Sequence, residues 1–334
     1  MKADLIDKYF HSKNILITGG AGFVGSHLAQ RISMPSNNVV SLDNYLSGRH
    51  SNHVENVSYI EGDVNNILEV FGTQKFDFIF HFGEYSRVEK SLEEPYVALS
   101  NTHKPFSTLL QFWATSGAKL VYSGSSTKFA DGGLGRHLSP YTTAKSLNTE
   151  LLIDFANWYQ LPYSIVYFYN VYGGRELQEG KYATAIGKFK NLVAKGETKL
   201  PVTLPGTQCR NFTHINDIVD GVLLAAVNGN GDGYGIGADQ EYSILDVCEM
   251  FCCKPEFKEA SSANRMGGKL KTEQIKKLGW QQKHFLPVLP EARSLGFWRL
   301  NFFVCVDRCQ KPQKSKPLII RTCSSLTLNL SLGE

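Results

Sequence analysis

Asn14-Ile15-Leu16-Ile17-Thr18-Gly19-Gly20-Ala21-Gly22-Phe23-Val24-Gly25-Ser26 is the stretch on which the reading of the fold turns. Its apolar opening predicts a short strand, and glycines follow at once. Glycines at 19, 22 and 25 permit a tight turn, close approach of backbone to a pyrophosphate, and close helix packing. The helix expected over 26–32 points its positive end at the same phosphates. A glycine pattern alone is weak, because glycine loops are common. The strand before this one and the helix after it make it a dinucleotide-binding turn.

Working outward, a second strand over 39–42 ends in Asp43, at the distance from Gly19 where a carboxylate meets the adenosine ribose. Such a carboxylate bonds the 2′-hydroxyl and repels a 2′-phosphate, which favours NAD over NADP. The plainer reading is a turn aspartate in Asp43-Asn44. A third strand over 57–60 runs into Gly62-Asp63-Val64, where Asp63 can accept from the adenine amino group. A fourth, over 76–81, is followed by Phe82-Gly83, where backbone can approach the cofactor; His81 reads as a packed strand-end histidine rather than a catalyst. The fifth covers 119–123, with Gly124-Ser125-Ser126-Thr127 at its carboxyl end, where ligands bind in open parallel sheets. A sixth covers 161–167.

This alternation predicts an α/β fold, a doubly wound Rossmann-type parallel sheet over residues 12–170. Beyond Asn170 the pattern loosens, with helices expected over 183–195 and 215–227. That predicts a smaller C-terminal substrate lobe over 171–286, some of whose elements return to the main domain. Amphipathic helices expected over 95–116 and 142–161 suit pairing with a second subunit as a homodimer.

Tyr141-Thr142-Thr143-Ala144-Lys145 carries the chemistry. On a helix, Tyr141 and Lys145 share one face, so the ammonium can act on the phenol through the cofactor. Lowering a phenol pKa of ~10 to neutrality takes roughly 3 units, about 4 kcal/mol. One positive charge at ~6 Å, at an effective dielectric of ~20, contributes roughly 2.8 kcal/mol, so Lys145 together with an oxidised nicotinamide suffices. In isolation the same spacing is more often an ordinary surface pair.

The chain has 334 residues, 42% of them hydrophobic, enough for one domain with an appended lobe or for two. No apolar run is long enough to span a bilayer, and the N-terminal residues have no uninterrupted apolar core, so the expectation is a cytoplasmic protein without membrane contact. The net charge is +4, and residues 287–334 hold seven Lys or Arg against three Asp or Glu, which leaves the rest neutral. There is no electrostatic footprint for nucleic acid. Seven cysteines, at 209, 248, 252, 253, 305, 309 and 323, contain no Cys-x-x-Cys pair. Cys248, Cys252 and Cys253, at helical spacing, read as buried thiols rather than metal ligands, and no metal is expected.

In combination these motifs resemble the extended short-chain dehydrogenases/reductases, and among them the NAD-dependent nucleotide-sugar epimerase/dehydratase family typified by UDP-glucose 4-epimerase. The resemblance covers about residues 12–286. It rests on the glycine turn, Asp43-Asn44, Gly62-Asp63-Val64, Ser125, Tyr141 with Lys145, Phe168-Tyr169-Asn170-Val171-Tyr172-Gly173, and Arg210-Asn211-Phe212-Thr213-His214-Ile215-Asn216-Asp217. It implies that Tyr141 takes the proton of the sugar 4-hydroxyl, that Lys145 holds the nicotinamide ribose and lowers the Tyr141 pKa, and that Ser125 bonds the reacting oxygen. It implies cofactor contacts from Gly19, Gly22, Phe23, Val24, Gly25, Asp43, Asn44, Asp63, Val64, Phe82, Gly83, Asn101 and Tyr169, besides Tyr141 and Lys145. Substrate contacts are implied for Ser125, Ser126, Asn170 and Arg210, with Arg265 in place of the family's second diphosphate arginine. Without the family, Arg210 reads as a solvated lobe arginine and Asn170 as a turn residue.

The family's dehydratases and decarboxylases carry a glutamate just beyond the catalytic Ser or Thr. Here Ser125 is followed by Ser126-Thr127-Lys128, which favours epimerisation of a UDP-hexose or UDP-N-acetylhexosamine at C4. The alternatives are a nucleotide-sugar reductase or dehydratase on the same fold, and a non-catalytic dinucleotide-binding scaffold. Three departures from the family stand out. Gly83-Glu84-Tyr85-Ser86-Arg87 replaces small residues, so a carboxylate and an arginine are expected to border the nicotinamide or the sugar. Pro105 stands where glycine is usual. Gly268 falls near a position that is bulky in glucose-specific epimerases, which would leave room for a 2-acetamido group. Residues 287–334 form an atypical tail that does not match the family's ending.

Overall fold

The computed structural model describes residues 8–260, 267–268 and 270–286. Its strands are β1 (Asn14–Thr18), β2 (Asn38–Asp43), β3 (Val57–Glu61), β4 (Phe78–His81), β5 (Lys119–Ser125), β6 (Tyr163–Phe168), β7 (Val171–Tyr172), β8 (Lys199–Thr203), β9 (Cys209–Asn211), β10 (Thr213–His214), β11 (Gly231–Ile236), β12 (Glu241–Ser243) and β13 (Lys254–Lys258). Seven of these form one parallel sheet in the order β11-β6-β5-β4-β1-β2-β3. The order reverses beside β1, whose Thr18 pairs with Leu42 of β2 on one side and His81 of β4 on the other. A crevice opens at such a reversal, beyond the carboxyl ends of the strands.

The sheet is covered on both faces, because its central strands are apolar on both sides. Ile15, Ile17, Phe80, Val121 and Val166 pack with the helices Phe23–Ile32 and Ile215–Asn228. Leu16, Ile79, Leu120, Tyr122, Ile165 and Tyr167 pack with Phe106–Ser116 and Pro140–Tyr159 on the other face. This is the doubly wound Rossmann-type arrangement expected from the alternation. The boundaries move by a few residues. The helix expected over 26–32 begins at Phe23, so Gly25 lies within its first turn. The single helix expected over 95–116 is two, Pro95–Ser100 and Phe106–Ser116, with Pro105 at the cap of the second.

A smaller core gathers Tyr172, Ile186, Phe189, Leu200, Val202, Phe212, Val247 and Cys248 around the helices Ala185–Ala194 and Ile244–Met250 and the β8–β13 pair. Residues 231–236 return to the main sheet as β11, so the lobe is threaded back into the first core. Buried Asp217 ties the later chain to it: its carboxylate accepts from Lys283 N at 3.1 Å, His284 N at 2.9 Å and His284 Nδ1 at 2.9 Å. Cys248 is buried, but Cys252 is exposed and Cys253 half-buried, because the helix ends at Met250 and Cys252 turns to φ +53°. The expectation of three buried thiols on one helix therefore fails for Cys252. No cluster of three metal-ligating side chains occurs among the described residues, nor does a helix long and apolar enough to cross a membrane. The tail 287–334 and Arg265 lie outside the described residues.

Candidate active site

The glycine turn is shaped by what its glycines touch. Gly19 has φ +76°, and a Cβ there would stand 2.7 Å from Gly83 N; a Cβ on Gly25 would stand 2.1 Å from Gly19 O. The first pair lets the turn lie against the loop after β4, and the second lets the helix close on the turn. Gly22 is the helix cap, and its only near contact would be Gly19 O at 3.1 Å. With no side chain capping them, the first-turn N–H groups face an open space fit for a pyrophosphate.

That space is a cleft of about 760 Å³. Of the expected cofactor residues, Gly19, Gly22, Phe23, Val24, Gly25, Asp43, Asn44, Phe82, Gly83, Asn101, Tyr141 and Lys145 line it. Asp63 and Val64 line a small adjoining recess with Asn44 and Asn101. There Asn44 Nδ2 donates to Asp63 Oδ2 and to Asn101 Oδ1, each at 3.0 Å. Asp43 accepts from Ala21 N at 2.9 Å and Tyr45 N at 2.8 Å, and burial pushes its carboxyl above the ordinary value, against those backbone donors. Each carboxylate oxygen keeps a lone pair for a ribose hydroxyl. These features fit NAD. Tyr169 is not among the lining residues: its ring packs in the core, and its hydroxyl accepts from Lys271 N at 3.1 Å.

At the other end of the cleft, the carboxyl end of β5 meets the start of helix Pro140–Tyr159. Ser139 caps that helix by accepting from Thr142 N, with Thr142 closing a capping box, and Pro140 occupies the first turn. Tyr141 and Lys145 thus sit one turn apart beside Ser125, which exchanges a 2.7 Å hydrogen bond with Thr127 Oγ1. The Tyr141 ring lies 6.2 Å from Tyr85, and its backbone N donates to Ser91 Oγ at 3.3 Å. The loop after β4 thus lies against the Tyr141 ring, and the short helix Lys90–Glu93 against its backbone.

Lys145 is held more firmly than the spacing argument foresees. Its Nζ donates to Glu84 Oε2 and to Ser123 O and lies 4.7 Å from the centre of the Tyr122 ring. The side chains of Lys145 and Glu84 are 4% and 1% exposed. Burial alone would push the Glu84 carboxyl up; Lys145 and His81 outweigh that and hold it below the ordinary value. His81 is fully buried, as its strand-end position suggested, with Nδ1 2.7 Å from Thr18 Oγ1. Thr18 Oγ1 also accepts from Gly83 N at 3.2 Å, and His81 Nε2 lies 3.4 Å from Glu84 Oε1.

Of the expected substrate residues, Ser125, Ser126 and Asn170 line the cleft. Asn170 has φ +36°, a conformation asparagine tolerates, and its Nδ2 donates to Asn211 O at 3.2 Å. Arg210 and Gly268 are not among the lining residues, and Arg210 Nη1 donates to Cys209 O at 2.8 Å. Arg87, Arg175 and Lys188 do line it, none with an ion-pair partner among the described residues. Arg175 and Lys188 were missed in the sequence. Arg175 follows the Asn170-Val171-Tyr172-Gly173 motif by two residues, which was the available signal; Lys188 gave none. Arg87 Nε donates to Tyr182 O at 2.9 Å. Burial pushes its guanidinium below the ordinary value, and the Tyr141 phenol is the largest influence the other way.

The fold agrees with that of relatives of this chain. It belongs to the NAD dependent epimerase/dehydratase family, whose model matches residues 15–237. It is 28% identical over 257 residues to UDP-N-acetyl-alpha-D-glucosaminuronate decarboxylase of Bacillus cytotoxicus, covering 71% of this chain and 78% of that one. A trifunctional UDP-glucose 4,6-dehydratase/UDP-4-keto-6-deoxy-D-glucose 3,5-epimerase/UDP-4-keto-L-rhamnose-reductase of Arabidopsis thaliana is 27% identical over 304 residues; this chain spans 45% of its length. The UDP-glucose 4-epimerase of Thermotoga maritima, solved with UDP-glucose, superposes with a TM-score of 0.76 at 25% identity, covering 82% of this chain and 94% of that one. NAD is the cofactor of the family, whose members act on nucleotide sugars.

Proposed function

We propose that this protein is an NAD-dependent epimerase that inverts C4 of a nucleoside-diphosphate hexose or N-acetylhexosamine through a transient 4-keto sugar. The observation that carries the reading is the set Ser125, Tyr141 and Lys145 on one wall of the cleft whose other end is the glycine turn. Bound NAD supplies the acceptor and then the donor of the hydride. Tyr141 Oη takes the proton of the 4-hydroxyl and later returns it, Ser125 Oγ bonds the same oxygen, and Lys145 exchanges its long 3.4 Å bond to Ser123 Oγ for one to the cofactor ribose. Phe82, Phe168 and Phe212 keep part of the wall apolar. Arg175 and Lys188 offer positive charge for the diphosphate, a role that sequence reasoning gave to Arg210 and Arg265.

Epimerisation is preferred over dehydration because no carboxylate follows Ser125 on Ser126-Thr127-Lys128, where Lys128 Nζ is tied to Asp232 Oδ2 at 2.9 Å. A reductase is disfavoured by Asp43, buried where a 2′-phosphate would have to sit. The site is part of a homodimer in this reading, since Leu147 and Trp158 on helix Pro140–Tyr159 and Tyr96 and Leu99 on Pro95–Ser100 are exposed. A cytoplasmic enzyme with that assembly meets the same substrates in either subunit.

The test is to extract bound cofactor from purified protein, then follow UDP-Glc, UDP-Gal, UDP-GlcNAc and UDP-GalNAc separately by NMR. C4 inversion without added NAD, lost in Tyr141→Phe, is the expected outcome. Accumulation of a 4-keto-6-deoxy product would overturn it in favour of a dehydratase, and absence of any dinucleotide would favour the scaffold.

A further inference from the structure

The loop Gly83-Glu84-Tyr85-Ser86-Arg87 puts one negative and one positive side chain at the wall that holds Tyr141 and Lys145, and the reaction as described uses neither for proton transfer. Glu84 is tied down at both oxygens. Oε2 accepts from Lys145, while Oε1 accepts from Asn148 Nδ2 at 3.1 Å and Tyr122 OH at 3.4 Å and faces His81 Nε2 at 3.4 Å. Asn148 is fixed in turn by Thr102 O at 3.0 Å and His103 Nδ1 at 2.7 Å. A carboxylate withdrawn this far from water persists only when its lone pairs are so satisfied.

The pair has an electrostatic consequence. An ammonium in contact with a carboxylate acts on a third group as a dipole, and the two contributions largely cancel at the distance of a neighbouring phenol. Lys145 therefore keeps its grip but loses most of its pull on Tyr141. Arg87 is the opposite case: it lines the same cleft, its hydrogen bonds run to Ser86 O, Ser86 Oγ and the carbonyl of Tyr182, which packs with Tyr85 and Tyr141, and no carboxylate among the described residues pairs with it. We propose that Glu84 is a positioning residue that clamps Lys145 and offsets its charge, and that Arg87 takes over the electrostatic activation of Tyr141.

This rests on Tyr141 being the proton acceptor. The titratable and charged groups on the elements packed against it are Glu84, Tyr85 and Arg87 of the loop, Lys90, Glu93 and Glu94 before helix Pro95–Ser100, His81 of β4, Tyr122 of β5, Lys145 of its own helix, and Lys181 and Tyr182 of the lobe; Glu94 accepts from Tyr85 OH at 3.0 Å and Tyr182 OH at 2.6 Å and is paired with Lys181.

The experiment measures, in the NAD-loaded protein, the phenolate absorbance that disappears in Tyr141→Phe, as a function of pH, together with the acid limb of kcat. Glu84→Gln keeps the shape and removes the charge; it is expected to move both midpoints down by about one pH unit. Arg87→Met is expected to move both up by about one unit, with Arg87→Lys restoring most of the shift. Unmoved midpoints in either variant, or an upward move in Glu84→Gln, would overturn the proposal, since a merely structural role changes melting but not the titration. If Glu84→Gln does not fold, the Arg87 pair decides alone. Wild-type protein that turns over no nucleotide sugar sinks the epimerase reading, while the absorbance titration still judges this one.

Discussion

The two ends of the cleft are built by different means. At the glycine turn the shape comes from backbone: positive φ at Gly19, a cap without a side chain at Gly22, and backbone donors to Asp43. At the catalytic wall the shape comes from side-chain charges brought together from residues 84, 87, 141 and 145. A backbone site is encoded in a dozen consecutive residues and tolerates no added atoms. A charge-built site is spread over the chain and is sensitive to pH.

The two ends differ most at Tyr141. Removing its hydroxyl with Tyr141→Phe is expected to lower kcat by about 10³-fold, about 4 kcal/mol, with melting unchanged, since the ring keeps its packing against Tyr85. Parallel loss of melting temperature would put the residue in the fold rather than the chemistry.

Next in size is the buried pair. Glu84→Gln leaves Lys145 without its counter-charge and is expected to destabilise the protein by about 3 kcal/mol at neutral pH, read by urea unfolding. The sign of the pH dependence follows from the direction of the shift. The folded Glu84 carboxyl lies below its ordinary value, so its contribution is complete above the unfolded value of ~4.3 and is lost as pH falls through the lower, folded value. The wild-type advantage over Glu84→Gln should therefore hold from pH 7 to about 5 and shrink on further acidification. A constant gap down to acid would show that the charge is not what stabilises.

The backbone end answers to a methyl group. Gly25→Ala places Cβ 2.1 Å from Gly19 O, an overlap with backbone that must be relieved by moving the turn. The expected result is about 2 kcal/mol of lost stability and protein purified without NAD. Retention of a full complement of NAD would mean that the turn is looser than its contacts indicate. Smallest is Asp43→Asn, which keeps the size of the group and removes its charge. NAD affinity should fall about tenfold, roughly 1.4 kcal/mol, while NADP binding improves relative to it. Equal loss of both would mean that Asp43 holds only Ala21 and Tyr45.

Most of the fold was legible because its signals are local. Apolar runs of four to seven residues alternate with helical segments, and each strand of the sheet's first six announces itself. The seventh does not. β11, Gly231-Asp232-Gly233-Tyr234-Gly235-Ile236, has three glycines, and it is a strand because β6 offers an edge and Ile236 a place in the core. The break between Pro95–Ser100 and Phe106–Ser116 was half-legible, in Pro105 alone.

In the site, the sequence by itself determined the turn at Gly19–Gly25, Asp43 at the end of β2, and Tyr141 with Lys145 on one helical face, since each depends on neighbours within a few residues. Glu84 and Arg87 could be seen as departures, but not as partners. That Glu84 meets Lys145 across 61 residues, that Arg87 has no carboxylate partner among the described residues, and that Arg175 and Lys188 line the cleft while Arg210 does not were decided by the tertiary structure. The physical reason is that a hydrogen-bonded turn or a helical face is fixed by local geometry. The charge state around a buried group depends instead on every element packed against it.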